Sequence, residues 1–342
     1  MSAIFDLNTV WFLLVGILLT GYAILDGFDL GVGALHLFTK EDSHRRIMLN
    51  AIGPVWDGNE VWLVTGGGAL FAAFPEAYAT SFSGFYLAFI FLLFALIFRA
   101  VAIEFRSKQP MLWWRKLWDI SFSVSSIISA LLIGIALGNL VWGIPLDSEY
   151  EYAGTFLGLL HPYALVLGVT VLALFMMHGA IYMLMKSEGD LHDIIRGWIM
   201  KLILFFVVCY LFLTVLTLWL VPHMTDLLMA YPVLFIFAGL SFLAIVNIPR
   251  EVHRGRDFRA FLSSSAAIAG LMTLFGLGMY PHLIISNPVV ENSLNIYNAA
   301  SSQTTLFIML IIALIGMPLV LSYTISIYWI FRGKVKLGPM SY

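Results

Sequence analysis

Charge is what this sequence has least of. Only 11% of its 342 residues are Asp, Glu, Lys or Arg, against about 25% in an ordinary soluble domain. A single cysteine, Cys209, excludes an intrachain disulfide and a CxxC metal site. It lies in an apolar run and reads as a small buried hydrophobe. No two of the eight histidines stand three or four residues apart, so the simplest helix-borne metal or haem site is missing. No basic stretch precedes the first apolar run, since Asp6 is the only charged side chain in Met1–Asn8. A cleavable secretory signal is therefore not expected. No nucleic-acid partner is expected either.

What is present is apolar length. Hydrophobic residues make up 61% of the chain and the mean hydropathy is +0.94. One water-soluble core cannot hide that much apolar surface, whereas lipid accepts it. Runs long enough to cross a bilayer recur throughout. They predict spans near 10–37, 50–74, 80–105, 114–142, 156–185, 198–221, 231–249, 260–280 and 304–331. The fold class is an all-α integral membrane protein of about nine transmembrane helices.

Every lysine and arginine lies at an odd-numbered connection, just inside span three, or in the tail. The first connection has Lys40, Arg45 and Arg46. The third has Arg106, Lys108, Arg115 and Lys116, with Arg99 just inside span three. The fifth has Lys186, Arg196 and Lys201, the seventh Arg250, Arg254, Arg256 and Arg259, and the tail Arg332, Lys334 and Lys336. The even-numbered connections have none and carry Asp147, Glu149 and Glu151 instead. The positive-inside rule then predicts an external N-terminus and a cytoplasmic C-terminus. The alternation holds only for an odd number of spans, which supports nine.

A faint internal echo suggests how the spans group. Gly16, Asp26 and Gly27 of the first span align with Gly168, His178 and Gly179 of the fifth. One reading is two four-helix bundles plus one extra helix: 1–150 with the buried acids, 151–282, and 283–342 comprising an external loop, the ninth helix and a tail. The other is coincidence between glycine-bearing apolar helices. The polar stretch around 285–305 reads as a structured external loop.

Charged side chains inside spans are costly, about 2.5–3.5 kcal/mol each at mid-helix, and are usually paired or functional. Span one carries Asp26 and Asp29 at i,i+3, on one helix face. Span two carries Asp57 and Glu60 with the same spacing, span three Arg99 and Glu104, and span four Asp119. At 1.5 Å per residue Asp26 lies roughly 24 Å from the outer end of its helix. The acids of the first four spans thus gather toward the cytoplasmic side. They read either as a proton half-channel or as a group pinned by Arg99 that holds the bundle together. Gly27, Gly31, Gly33 and Gly66–Gly68 read as close-packing positions. Among the histidines, His178 abuts Met176 and Met177, but neighbouring helix residues point different ways, which disfavours a haem site. His36, His44, His192, His223 and His253 fall at span ends and read as surface groups.

Several phrases together are specific: LLVGILLTGYAILDGFDLGVG from Leu13, RRIMLNAIGPVWDGNEVWLVTGGGALFAAFP from Arg45, FSGFY from Phe82, LWD at 117–119, ALGN at 136–139 and SSQTTL at 301–306. In these the chain resembles subunit II of bacterial cytochrome bd quinol oxidases, end to end. The resemblance implies a subunit of an electrogenic quinol:oxygen oxidoreductase in the bacterial cytoplasmic membrane. It implies a larger partner, subunit I, that ligates two haems b and one haem d, with none ligated by this chain. It leaves open a small single-helix subunit and a structural quinone. It matches Asp57 to an aspartate of a proton pathway, and Asp26, Asp29 and Arg99 to positions near that pathway. Glu60 stands where some relatives carry glutamine. Read without the resemblance, a secondary transporter using Asp26, Asp57 and Arg99 is the runner-up. Against it, the charges sit off the midplane and no broken helix marks a substrate site. A purely structural membrane subunit is the third reading.

Overall fold

The computed structural model describes residues 6–338 and Ser341. Twelve helices follow in order: α1 Leu7–Leu35, α2 Asp42–Ile52, α3 Trp56–Ala73, α4 Pro75–Gly84, α5 Tyr86–Phe105, α6 Leu112–Trp142, α7 Pro162–Lys186, α8 Gly189–Leu220, α9 Asp226–Ala230, α10 Phe235–His253, α11 Asp257–Met279 and α12 Gln303–Ile330. A small antiparallel hairpin, β1 His282–Ile284 with β2 Leu294–Asn295, precedes α12.

Capping chemistry sets several boundaries. The Asp6 side chain accepts from the Asn8 N–H and starts α1. His161 caps α7, with Pro162 in the first helical position where its missing N–H costs nothing. The fifth span therefore starts as a helix at 162, after a short 3₁₀ turn over Phe156–Leu160, not at 156.

The second predicted span, 50–74, is not one helix. It is interrupted between Ile52 and Trp56, where Gly53 and Pro54 fall. Residues 42–52 form the separate, more polar α2. The third predicted span, 80–105, is similarly divided at Phe85, with α4 ending at Gly84. Eight helices are long and apolar enough to cross a membrane among the described residues. The ninth candidate, α3, holds 18 residues, about 27 Å of helix. Asp57, Asn59 and Glu60 lower its apolarity. Yet Asn59 near its start is bonded to Tyr328 near the end of α12, while Ala73 at its end is bonded to Ser301 just before α12 begins. Thus α3 runs antiparallel to α12 between the same two levels.

The interior lies where α1, α6, α7 and α11 meet. Phe28 stacks on Tyr182, ring centroids 3.9 Å apart, with Phe261 edge-on beside them. A methyl on Gly31 would overlap the Phe175 carbonyl, and one on Gly179 would press on the backbone of Gly31 and Val32. The helices of the first and fifth predicted spans are therefore packed backbone to backbone at Gly31 and Gly179, one turn beyond the echoed Gly27. The polar stretch before α12 folds over one end of the bundle. There the Asn8 amide donates to the Ile296 carbonyl at 2.6 Å, and the Trp11 indole to that of Leu306 at 2.9 Å. By contrast α12 is peripheral, with Leu306 its only buried residue.

Candidate functional site

The i,i+3 spacing places both Asp26 and Asp29 on the face of α1 that turns inward, and both are fully buried. From α5, Arg99 reaches the same point and is also fully buried. Its Nη2 donates to Asp26 Oδ1 at 2.8 Å and lies 4.0 Å from Asp29 Oδ2. Its Nη1 donates to Glu60 Oε1, which comes from α3. Three helices are thus joined through one guanidinium. The Glu60 carboxyl retains 23% exposure, while Asp26, Asp29 and Arg99 retain none. Glu60 is therefore the edge of the group that solvent or a neighbour can reach.

A neutral residue completes the arrangement. The Asn59 amide donates to Asp29 Oδ2 at 2.7 Å and to the Leu25 carbonyl at 3.3 Å. Its oxygen accepts from the Tyr328 hydroxyl at 2.9 Å. Asp26 Oδ2, Asp29 Oδ1, Arg99 Nε and the Tyr22 hydroxyl have no hydrogen-bond partner among the described residues. The acids thus keep open lone pairs at the centre of the group.

Asp57 stands apart from this group. It is exposed and lines a cleft of about 440 Å³ between α3 and α12, together with Asn59, Thr65, Tyr323, Thr324 and Tyr328. Asp57 and Glu60 still share a face of α3, one turn apart. Glu60 is thus the member of the Arg99 group that lies one helical turn from Asp57 along α3.

Asp119 does not join the group at all. It is buried in a second network, about 10 Å further toward the cation-bearing end as measured along α5 from Arg99 to Arg106. Asp119 accepts from His36 Nε2 at 2.6 Å, Arg45 Nη1 at 2.9 Å and Arg106 Nε at 2.5 Å. Arg106 also bonds Asp42 at 2.7 Å, and Arg115 bonds Asp42 at 3.2 Å. Three arginines, Arg45, Arg106 and Arg115, outnumber the two carboxylates Asp119 and Asp42, so this network reads as a clamp joining α2, α5, α6 and the end of α1.

Spacing and depth grouped Asp26, Asp29, Asp57, Glu60, Arg99 and Asp119; the structure brings Asp26, Asp29, Glu60 and Arg99 together and leaves Asp57 and Asp119 outside. Sequence reasoning missed Asn59 and Tyr328, because a neutral amide or phenol in a span is less conspicuous than a charge. It also read His36 as a surface group because of its place at a span end. His36 is instead fully buried, since the chain turns there and sets its ring on Phe122, centroids 5.1 Å apart. His178 is buried with both ring nitrogens engaged, at 2.7 Å from Ser264 Oγ and 3.0 Å from the Ile24 carbonyl. Among the described residues no three His, Cys, Asp or Glu side chains are arranged to hold a metal ion.

Comparison with known proteins gives a consistent result. The family described as Cytochrome bd terminal oxidase subunit II matches residues 7–331. The chain is similar to cytochrome bd-I ubiquinol oxidase subunit 2 of Escherichia coli K12, with 36% identity over 96% of this chain and 95% of that one. It is also similar to cytochrome bd ubiquinol oxidase subunit 2 of Bacillus subtilis, with 33% identity over 98% and 99%. In fold it resembles a chain of the bd oxidase from Geobacillus thermodenitrificans, with a TM-score of 0.78 at 17% identity, covering 95% of this chain and 98% of that one.

Proposed function

Because the chain belongs to the cytochrome bd terminal oxidase subunit II family, we propose that it is the haem-free subunit of a quinol oxidase. In this role it scaffolds a haem-bearing subunit I and supplies the cytoplasmic proton route for oxygen reduction. The supporting observation is the buried group of Asp26, Asp29 and Glu60 around Arg99, with only Glu60 reaching its edge. Three ionised carboxylates around one guanidinium leave a formal charge of −2, which a low-dielectric interior strongly disfavours. A shared proton relieves it, so the group can accept and release protons as its surroundings change. Protons enter from Asp57 in the α3–α12 cleft, pass Glu60, and reach the open lone pairs of Asp26 and Asp29.

In this reading the N-terminus is external and the C-terminus cytoplasmic, in a bacterial cytoplasmic membrane. Protons are drawn from the cytoplasm while quinol releases its own outside, which makes turnover electrogenic. The haems belong to subunit I. A structural quinone held by this chain would have room for its tail in the apolar cleft of about 550 Å³ lined in part by Leu63, Phe89, Leu137, Phe206 and Phe275. The competing reading, a group that only pins α1, α3 and α5, draws on the same ion pairs.

Asp57→Asn separates the two, because it removes a carboxylate at an exposed position that has no ion pair among the described residues. In the assembled oxidase we expect normal haem content, with oxygen consumption per haem d lowered by at least about tenfold. Parental oxygen consumption and membrane potential in this variant would exclude the route. That outcome would leave the pinning role of the Arg99 group, in which Asp57 takes no part, as the reading that stands.

A further inference from the structure

We propose that Tyr328, on the peripheral helix α12, is a positioning residue for the buried carboxylate of Asp29, acting through Asn59. The inference rests on the proton-route reading and adds to it a contribution from the ninth span.

The hydrogen-bond pattern leaves Asn59 one orientation. Its NH₂ faces two acceptors, Asp29 Oδ2 and the Leu25 carbonyl, and its oxygen faces the Tyr328 hydroxyl. Turning the amide over would set its oxygen against a carboxylate and a carbonyl. The Tyr328 hydroxyl must then be the donor, since an amide oxygen offers it only lone pairs. The chain therefore runs in one sense, from the tyrosine hydroxyl to the amide to the carboxylate. Asn59 itself is 2% exposed, so water cannot readily replace a lost partner.

The placement on α12 is unexpected on packing grounds alone. That helix is exposed along most of its length, and between it and α3 lies the cleft that Asp57 also lines. Tyr328 is half-buried at the edge of this cleft and, among the described residues, makes the one side-chain hydrogen bond between α12 and α3. It therefore joins the wall of the cleft to the carboxylate group behind it. With the hydroxyl gone, the Asn59 amide loses its anchor, and the Asp29 oxygen that accepts from it loses a fixed donor.

The test is made on the oxidase assembled with subunit I, with turnover expressed per haem d. Tyr328→Phe is expected to keep haem content and quinol KM while lowering turnover by about threefold to tenfold, the range one net hydrogen bond supports. The solvent deuterium isotope effect should rise, and the infrared carboxyl band abolished by Asp29→Asn should shift. All of these changes are required. Parental turnover, an unchanged isotope effect or an unmoved band each overturn the role of Tyr328. Asn59→Leu, which removes both links, must move the same band at least as far; a band left in place there overturns it too. Asp29→Asn turning over like the parent would instead overturn the proton-route reading beneath. Asp29→Asn impaired beside a normal Tyr328→Phe would overturn only the role of the tyrosine.

Discussion

Arg99 is the shared cation of three carboxylates, so losing it and losing one acid are not equivalent. Arg99→Met would leave Asp26, Asp29 and Glu60 without their guanidinium in a buried site, a change of the kind that costs about 3–5 kcal/mol. We expect little assembled complex, read as haem recovered after purification. Adding Asp26→Asn removes one of the stranded charges and should restore part of the yield. A double variant no better than Arg99→Met would show that repulsion is not the cause. Asp119 gives a contrasting case. Its carboxylate is held by His36, Arg45 and Arg106. Asp119→Asn should lower the melting temperature of the complex while leaving turnover per haem and its isotope effect at parental values. A raised isotope effect would place Asp119 on the proton route after all. These two sites looked alike in the sequence, where both appeared as acids in the inner half of a span. What separates them is the partner set: one guanidinium for three acids at the first, three guanidinium groups and an imidazole for two acids at the second. Partner sets depend on how helices face one another, and periodicity does not reveal that. Asn59 was hidden for a related reason, because a neutral amide in a span is no anomaly until its neighbours are known.

Among the elements, the long apolar runs were legible because a bilayer sets their length, and eight of the nine emerge as helices that satisfy it. The breaks were not. Apolar composition continues across Pro54 and Phe85, so the hydropathy trace did not mark the turns between α2 and α3 or between α4 and α5. The glycines were read as one class and divide into two. A methyl on Gly31 would meet the backbone of α7, whereas one on Gly67 or Gly68 would meet no other element within 4 Å among the described residues. Gly31→Ala must therefore push α1 from α7 and should abolish the stable fold, visible as loss of membrane-inserted protein resistant to proteolysis. Gly67→Ala should be neutral or stabilising within this chain, by up to about 1 kcal/mol from helix propensity. If Gly67→Ala instead prevents assembly with subunit I while this chain still inserts, that face of α3 is where the partner packs closely.

For the whole molecule, the sidedness of charge ties the fold to the proposed task. The acids gather at the end of the bundle that carries the lysines and arginines, and that end must face the cytoplasm if protons for oxygen reduction are drawn from there. The hairpin and the segment before α12 cover the opposite end. Orientation and proton source are therefore a single claim, and it can be tested without turnover. In a Cys209→Ser background, Ser148→Cys lies exposed between α6 and α7, and Ser107→Cys lies exposed between α5 and α6. A membrane-impermeant thiol reagent applied to intact spheroplasts should label the first and not the second, and inverted vesicles should reverse the pattern. The opposite result would set the Arg99 group facing outward. The route from Asp57 would then draw protons from the external side, and the same buried acids could no longer contribute to charge separation across the membrane.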